Sequence, residues 1–251
     1  KILRAPISDR FFVKVIGRGY PTPTNKFRWC TDKLRVRPVD KFIQQAATQD
    51  AIVCLGIRKH ESQQRDRTLN KFDNKEWQNK NKEKYNYRMY LPILNFSIED
   101  VWDVIFVEGN PKSLNPIELE TIYRNASGEC PIIKEPTAAP CGTGRFGCWT
   151  CTVVRKDKSM TKLIESGHTE LEPYLDFRNW IAQFRDEPKN RWKKRRNGVD
   201  GLGPLTLAAR KEILQRLDEL SITVGQDLIS KKERAEIHSL WLHDQKIEAN
   251  F

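Results

Sequence analysis

Apolar residues near the start of the chain are spaced as in half of an α/β unit. The run Phe11–Ile16, closed by Gly17, predicts a short strand. Four apolar residues then follow at the spacing of one helix face: Val39, Phe42, Ile43 and Ala46. The continuous apolar run 51–57 predicts a second strand, covered on both faces as in a parallel sheet. Cys54 lies inside that run and is expected to be a packed core thiol.

The middle of the chain alternates between polar and patterned segments. Residues 58–88 are polar and heavily charged, which predicts a surface excursion. Structure is expected to resume at 90–94. Ser97, with Asp100 three residues later, is typical of a helix N-cap, and a second short helix is predicted to begin at Pro116.

The last part of the chain is predicted to be helical. One apolar face continues through a long amphipathic helix: Leu205, Ala208, Ala209, Ile213, Leu217 and Leu220. Ser230 and Glu233 have the spacing of a capping box, which predicts a last helix. The pattern therefore indicates an α/β part, a cysteine-bearing connector and a helical C-terminal part.

The charge balance favours a polyanionic partner. The 251 residues include 44 Lys and Arg against 33 Asp and Glu, a net charge of +11. Nucleic acid and nucleotide phosphates are the first candidates, although such a surplus also simply keeps a protein soluble. No apolar run approaches the roughly 18 to 20 residues of a membrane span. The first residues also lack the apolar region of a secretory leader, so we expect a soluble, cytoplasmic protein with no membrane partner.

Four cysteines are concentrated in one short stretch: Cys130, Cys141, Cys148 and Cys151. Four thiolates are a full ligand set for zinc or for an iron–sulfur cluster, and the closing Cys-x-x-Cys pair can bring two sulfurs to one metal from a single turn. Spacing alone does not separate the two metals. Trp149, between the last two cysteines, is placed to shield such a site from water.

Two groups of charged residues are candidates for binding phosphate. Arg28, Lys33 and Arg35 lie in a dense basic segment, and arginine forks suit bidentate phosphate contacts. Arg58 and Glu61 follow the strand predicted over 51–57. Residues just past the carboxyl end of a parallel strand line the crevice where α/β sheets bind ligands. A solvated charged loop is the alternative interpretation for both groups.

A third basic group carries an aromatic residue and has no acid among its members: Lys189, Arg191, Trp192, Lys193, Lys194, Arg195 and Arg196. Such a group is typical of contacts to a nucleic-acid backbone, with the Trp stacking on a base. A solvated interdomain face is the competing interpretation. The four histidines are scattered and form neither a Ser-His-Asp order nor a zinc-protease motif.

Three segments of the α/β part share a recognisable pattern: Val15-Ile16-Gly17-Arg18-Gly19-Tyr20-Pro21, Phe27-Arg28-Trp29-Cys30-Thr31-Asp32-Lys33-Leu34-Arg35 and Leu55-Gly56-Ile57-Arg58-Lys59-His60-Glu61-Ser62. They resemble the phosphoadenosine phosphosulfate reductase-like superfamily of ATP pyrophosphatases. Three further segments belong to the cysteine block: Gly128-Glu129-Cys130-Pro131, the stretch from Cys141 to Val154, and Asp157-Lys158-Ser159-Met160. They narrow the resemblance to the DNA phosphorothioation proteins of the DndC/SspD type.

The resemblance implies a fold in three consecutive parts. Residues 1–108 would be the C-terminal portion of a nucleotide-binding α/β domain, a partial adenine-nucleotide α-hydrolase-like parallel sheet. Residues 109–160 would be a cysteine-rich, iron–sulfur connector, and 161–251 a helical, basic C-terminal region.

The resemblance also implies a chemistry: replacement of a non-bridging oxygen of the DNA backbone by sulfur. ATP, with Mg²⁺, would be split into AMP and pyrophosphate, and a cysteine desulfurase would donate the sulfur. The implied 4Fe–4S ligands are Cys130, Cys141, Cys148 and Cys151. Cys30 would be a fifth ligand or a sulfur carrier. The expected partners are DNA, the desulfurase and other phosphorothioation subunits of a restriction–modification system, and a homo-oligomer is compatible with these.

The same resemblance suggests roles for the phosphate-binding candidates. Arg28, Lys33, Arg35 and Arg58 would face nucleotide or DNA phosphates. Glu61 would orient one of these arginines or a magnesium-bound water.

One family feature is missing from the sequence. The family's Ser-Gly-Gly-Lys-Asp-Ser loop, which grips the pyrophosphate, does not occur, and we expect it to precede this sequence in the intact gene product. Two alternatives remain open. An assimilatory phosphoadenosine phosphosulfate reductase would use a Cys in its C-terminal tail, but no Cys follows Cys151. A zinc-knotted nucleic-acid-binding module would need no nucleotide chemistry.

Overall fold

The computed structural model describes residues 2–46, 51–61, 63–71, 73–79, 87–108, 111–127 and 146–248. Two of the predicted cluster ligands, Cys130 and Cys141, lie outside these residues. The chain forms two compact units that interleave along the sequence. The helical unit comprises Lys1–Phe42, Gly147–Asp157 and Thr169–Phe251, and the sheet unit comprises Ile43–Phe146 and Lys158–His168. The division of the chain into three consecutive functional parts, 1–108, 109–160 and 161–251, stays a prediction.

The sheet unit contains a mixed three-stranded sheet with β3 (Tyr87–Tyr90) at its centre. Strand β1 (Ala51–Cys54) pairs with β3 in parallel, and β2 (Trp77–Asn79) pairs with it antiparallel. The register places Trp77 opposite Tyr90, and their rings stack at 4.5 Å. The predicted parallel pairing of β1 is confirmed, and β2 adds an antiparallel edge.

The described residues cover only one face of β1. Its residues alternate between half-buried and exposed, with Ile52 48% exposed and Cys54 exposed as well. The predicted burial of both faces, and of Cys54 as a core thiol, is therefore wrong. The cause is the pleat: successive side chains point to opposite faces, and the core of this unit packs on one of them. That core consists of Leu69, Tyr87, Met89, Leu91 and Leu94.

The described parts of the polar segment 58–88 contain regular secondary structure. They hold helix α2 (Gln63–Asn70) as well as β2 and the start of β3. Leu69 is buried in the core of the sheet unit, and burial of its apolar side chain favours the docked helix. The prediction that the segment is a surface excursion is therefore wrong where it contributes Leu69 and Tyr87 to that core.

The remaining helices of the sheet unit follow their sequence signals. Helix α3 (Ile98–Val107) begins with the predicted capping box, in which the Ser97 amide donates to Asp100 Oδ2 at 2.7 Å and the Asp100 amide donates to Ser97 Oγ at 3.0 Å. Helix α4 (Pro116–Ser127) begins at the predicted proline. Helix α5 (Lys158–Glu165) packs against α4.

The helical unit begins with a π-helical turn, Val13–Gly17, where the sequence predicts a strand. Every residue of the turn is buried. A run buried on all sides has no periodicity, so apolar pattern alone does not distinguish strand from helix. Two side chains stabilise the turn's carbonyls: Arg210 Nη1 donates to Gly17 O at 2.6 Å and Trp241 Nε1 donates to Ile16 O at 2.8 Å.

The π-helical turn Val13–Gly17 packs against the two C-terminal helices of the same unit. A second π-helical stretch, Thr31–Val36, runs into α1 (Arg37–Ala46), which confirms the helix predicted there. Helix α6 (Glu172–Phe184) was not predicted. Helices α7 (Leu207–Val224) and α8 (Lys231–Glu248) confirm the two predicted C-terminal helices. In the described part of the chain, no helix has the length and apolarity needed to cross a bilayer.

Candidate metal centre and nucleic-acid interface

Cys148 and Cys151 stand on one tight turn of the helical unit. The Cys151 amide donates to Cys148 O at 2.8 Å, so the two sulfurs leave the same turn of chain. Cys148 is exposed and Cys151 is half-buried. Trp149, between them, packs on Phe12, Tyr174 and Phe177 at ring distances of 5.2 to 6.0 Å. The turn is thus anchored by its aromatic residue while its thiols remain accessible.

Arg178, on α6, holds the backbone that follows these cysteines. Its side chain is only 1% exposed, yet no carboxylate among the described residues bonds to its guanidinium. Nε donates to Cys151 O at 2.9 Å, Nη1 to Arg155 O at 3.2 Å, and Nη2 to Val154 O. Burial lowers the pKa of Arg178, whereas the charges of Asp157 and the Cys151 thiolate oppose that shift.

Arg185, the C-cap residue of α6, connects the cysteine turn to the loop before Cys30. Its Nη1 donates to Pro23 O at 2.9 Å and to Thr152 Oγ1 at 3.1 Å. Thr152 Oγ1 itself donates to Pro23 O at 2.8 Å. The residue after Cys151 is therefore fixed to the segment that leads to Cys30.

Cys30 packs against the same apolar core as Trp149 of this turn. Burial raises the pKa of the Cys30 thiol, and the charges of the Cys151 and Cys148 thiolates raise it further, while hydrogen bonding with Thr31 acts in the opposite direction. Cys30, which the sequence left as either a fifth ligand or a sulfur carrier, therefore lies in the same unit as the predicted ligands Cys148 and Cys151.

The donor set fits a thiophilic metal, although it is incomplete among the described residues. Within the ranges that the structure describes, no group of three His, Cys, Asp or Glu side chains is arranged to hold a metal ion. The two other predicted ligands, Cys130 and Cys141, lie outside those ranges. Soft thiolates on a Cys-x-x-Cys turn, beside a third thiol and an aromatic shield, are the chemistry that zinc and iron–sulfur sites share.

The phosphate-binding candidates are divided between the two units. Arg28, Lys33 and Arg35 are in the helical unit, and Arg58 and Glu61 are in the sheet unit. Arg28 is exposed and donates to Asn25 Oδ1 at 3.3 Å, and Arg35 is exposed.

Two of these cations have contacts inside their own unit. Lys33 Nζ lies 4.0 Å from Asp9 Oδ1. Arg58 is half-buried and donates through Nη1 to Phe96 O at 3.3 Å. Their assignment to phosphate stays a prediction.

Residues 191–196 of the third basic group belong to a short antiparallel loop, Arg191–Leu205, which we call the basic hairpin. Lys189 precedes it, with its Nζ 3.0 Å from Glu187 Oε2. Bridges join Arg191 to Leu205 and Lys194 to Asp200. Gly203 is required where the arms approach, because a Cβ at that position would lie 1.9 Å from Lys194 O. Trp192 is 46% exposed, and the following cations are exposed too: Lys193, Lys194, Arg195 and Arg196.

Arg191 differs from its neighbours in the hairpin. Its guanidinium donates to three backbone carbonyls: Gly203 O at 2.5 Å, Arg185 O at 3.0 Å and Leu202 O at 3.2 Å. Burial lowers the pKa of Arg191. The negative charge of Asp186 opposes that shift, and the positive charge of Arg185 adds to it. This side chain therefore stabilises the base of the hairpin, and the exposed cations beyond it are the ones placed to meet a partner.

Sequence reasoning missed Arg178, Arg185 and Thr152. A signal for the two arginines was present in α6: Tyr174, Phe177, Arg178, Ile181, Phe184 and Arg185 share one helical stripe. An arginine at a core position must donate to buried acceptors. Thr152 gave no such signal.

The fold and this site define a class of protein: a mixed α/β unit with a small sheet, joined to a helical unit that carries clustered thiols. The chain matches the phosphoadenosine phosphosulfate reductase domain over residues 17–154, more than half of its length, and belongs to that family. The family indicates a nucleotide-utilising enzyme of sulfur chemistry. DNA phosphorothioation, the iron–sulfur cluster and ATP cleavage go beyond what the match shows.

The chain is also similar to MJ0066, an uncharacterised protein of Methanocaldococcus jannaschii. The two are 24% identical over 202 residues, which cover 78% of this chain and 35% of that protein. The chain thus spans about a third of this relative's length. No solved structure matches the chain.

Proposed function

We propose that this protein is an iron–sulfur, ATP-dependent sulfur-transfer component of DNA backbone phosphorothioation. The observation that carries the proposal is the Cys148–Cys151 turn, whose Trp149 packs against the same apolar core as Cys30, within a domain of the phosphoadenosine phosphosulfate reductase family. A thiol beside metal-binding thiolates can receive sulfur and pass it on without leaving the site. The exposed cations of the basic hairpin, in the same unit, supply charge for the DNA backbone.

In this proposal a 4Fe–4S cluster is held by Cys130, Cys141, Cys148 and Cys151. When bound, the cluster would supply iron–sulfur redox chemistry beside the thiols of this unit. Arg178 keeps the carbonyls of the Cys151–Arg155 backbone in place and leaves the thiols free to face the metal. Trp149 limits water on one side, and Cys30 serves as the sulfur carrier.

The charged residues orient the two phosphate substrates. Arg28, Lys33 and Arg35 contact nucleotide or DNA phosphates from the helical unit, and Arg58 does so from the sheet unit. Glu61 orients an arginine or a magnesium-bound water. ATP is cleaved to AMP and pyrophosphate, a cysteine desulfurase supplies the sulfur, and other phosphorothioation subunits complete the system.

The test is the chemistry of DNA from cells that carry the complete phosphorothioation system. Phosphorothioate linkages are cleaved by iodine, so wild-type cells should yield fragmented DNA. Cys151→Ala should abolish the fragmentation, and Cys54→Ala, the same change at an exposed thiol of β1, should preserve it. Iodine-cleavable DNA from the Cys151→Ala strain would contradict the proposal.

Direct reduction of phosphoadenosine phosphosulfate is the second candidate, because the matching family carries the name of that reaction. Sulfite release from this nucleotide with a thiol reductant would favour it.

A further inference from the structure

The loop before Cys30 presents an aromatic ring between two cations. Thr24 and Phe27 close a tight turn, in which each amide donates to the other's carbonyl at 3.1 to 3.2 Å. The turn carries Lys26, Phe27 and Arg28 at its exposed end. Phe27 is 44% exposed, although burying a phenylalanine ring is ordinarily favourable.

The Phe27 ring is supported from beneath. It stacks on Tyr20 with ring centroids 6.3 Å apart and planes 20° from parallel. Tyr20 in turn meets Trp29 edge-to-face at 5.6 Å, and Trp29 is buried with Nε1 donating to Pro21 O at 2.9 Å. A ring held on a packed aromatic base loses little further freedom when a flat ligand stacks on it.

Tyr20 also connects this turn to the basic hairpin. The guanidinium carbon of Arg196 lies 5.1 Å from the Tyr20 ring centroid, and Arg196 Nη2 donates to Arg18 O at 2.5 Å. Lys14 Nζ lies 5.3 Å from the same ring. Arg196 of the hairpin and Phe27 of the turn therefore both contact the Tyr20 ring, which makes the hairpin and the turn neighbours.

The same turn is fixed to the cysteine site on its other side. Pro23 O accepts hydrogen bonds from Thr152 Oγ1 and Arg185 Nη1, and Thr152 directly follows Cys151. The Phe27 turn is therefore held to the segment that carries Cys151.

We propose that Phe27 is a base-stacking residue for single-stranded DNA, with Lys26 and Arg28 contacting the phosphates on either side of the stacked nucleotide. An aromatic face among cations is how proteins hold unpaired bases, whereas bases inside a duplex have no free face to offer. The proposal deepens the proposed function and rests on it for the choice of DNA. It implies that the backbone position to be modified is presented on a strand whose local base is unstacked.

The experiment compares two fluorescent single strands of about 15 nucleotides, which span a typical site. One is oligothymidine, and the other is an abasic strand with the same number of phosphates. Phe27→Ala should weaken oligothymidine binding about tenfold and leave abasic binding unchanged. Phe27→Trp should restore the oligothymidine affinity. The matched control is Phe106→Ala, the same change at a ring 43% exposed in the sheet unit, and it should alter neither affinity.

Three results would overturn the proposal. They are wild-type oligothymidine affinity in Phe27→Ala, an equal loss on the abasic strand, or displacement of oligothymidine by AMP that depends on Phe27. The last would assign the ring to a mononucleotide site. Iodine cleavage of cellular DNA tests the proposed function separately, because that assay reports Cys151 chemistry whether or not a base stacks on Phe27.

Discussion

Arg178 donates its Nε hydrogen to the main-chain carbonyl of Cys151 at 2.9 Å, from a side chain that is almost completely buried. The contact joins the middle of α6 to the closing residue of the Cys-x-x-Cys turn. A buried arginine that binds backbone carbonyls determines the path of that backbone, because each carbonyl left unpaired would be costly. The geometry of the two thiols therefore depends on a residue that is distant in sequence.

Replacement of Arg178 should destabilise the helical unit and its cysteine turn together. Arg178→Met keeps the apolar volume but leaves three carbonyls without their donor, and we expect a loss of about 2–4 kcal/mol in the free energy of unfolding. Urea denaturation measures that loss, and iron bound after anaerobic reconstitution should fall as well. A matched control is Arg216→Met on α7, which removes a guanidinium stacked over Trp180. Wild-type stability and iron content in Arg178→Met would show that the contact does not shape the turn.

Asp9 should make the stability of the helical unit depend on pH. Burial alone would raise the pKa of the Asp9 carboxyl, but the hydrogen bond and charge of Lys14, with the charges of Lys33 and Arg37, outweigh burial and lower the pKa. A lowered pKa in the folded state stabilises the protein above the unfolded value of about 4, and that contribution is lost as pH falls through the folded value.

Asp9→Asn should therefore cost about 1–2 kcal/mol near neutral pH and progressively less as the pH falls below about 4 and the wild-type carboxyl becomes protonated. Lys14 Nζ, 2.6 Å from Asp9 Oδ1 and nearly buried, would lose its only close carboxylate among the described residues. Chemical denaturation of both proteins across this pH range measures the difference. A cost that is the same at both ends of the range would contradict the assignment.

Two sets of substitutions in the basic hairpin should have different effects, one on DNA binding and the other on stability. Lys193→Ala with Lys194→Ala should leave unfolding unchanged and make DNA binding less dependent on salt, by about two in the slope of log K against log[salt]. Arg191→Ala should instead lower stability, because Arg191 binds the carbonyls at the hairpin base. Anisotropy titrations at several salt concentrations and thermal denaturation distinguish the two effects. An unchanged salt slope in the double variant would remove the hairpin from the DNA surface.

Local signals in the sequence were sufficient for most helices. Ser97 with Asp100 and Ser230 with Glu233 form capping contacts in the structure at the helix starts that they predict. Such caps depend on residues three positions apart, so no tertiary information is needed. The π-helical turn Val13–Gly17 is held instead by donors from Arg210 and Trp241, which lie 193 and 225 residues along the chain from the carbonyls they bind. No local pattern contains that information.

The site was predictable in its residue types and only partly in its arrangement. The spacing of Cys148 and Cys151 predicted two thiols on one turn, which the structure contains, and the basic run 189–196 predicted a charged element, most of whose cations are exposed. The distinction between Arg191 and the cations beyond it required the hairpin's own geometry. Likewise, Cys54 could be read as buried because apolar runs do not show which face of a small sheet is covered.

Metal content is the most direct measure of the central claim, that the clustered thiols hold an iron–sulfur cluster. Protein purified anaerobically should be brown, with a broad absorption band near 400 nm and about four irons per chain, as expected for a 4Fe–4S cluster. Cys148→Ala should bleach it, and Cys54→Ala should not. Cys30→Ala should keep the iron while losing the ability to form phosphorothioate, as a sulfur carrier requires. A colourless wild-type protein with one zinc per chain would contradict the account.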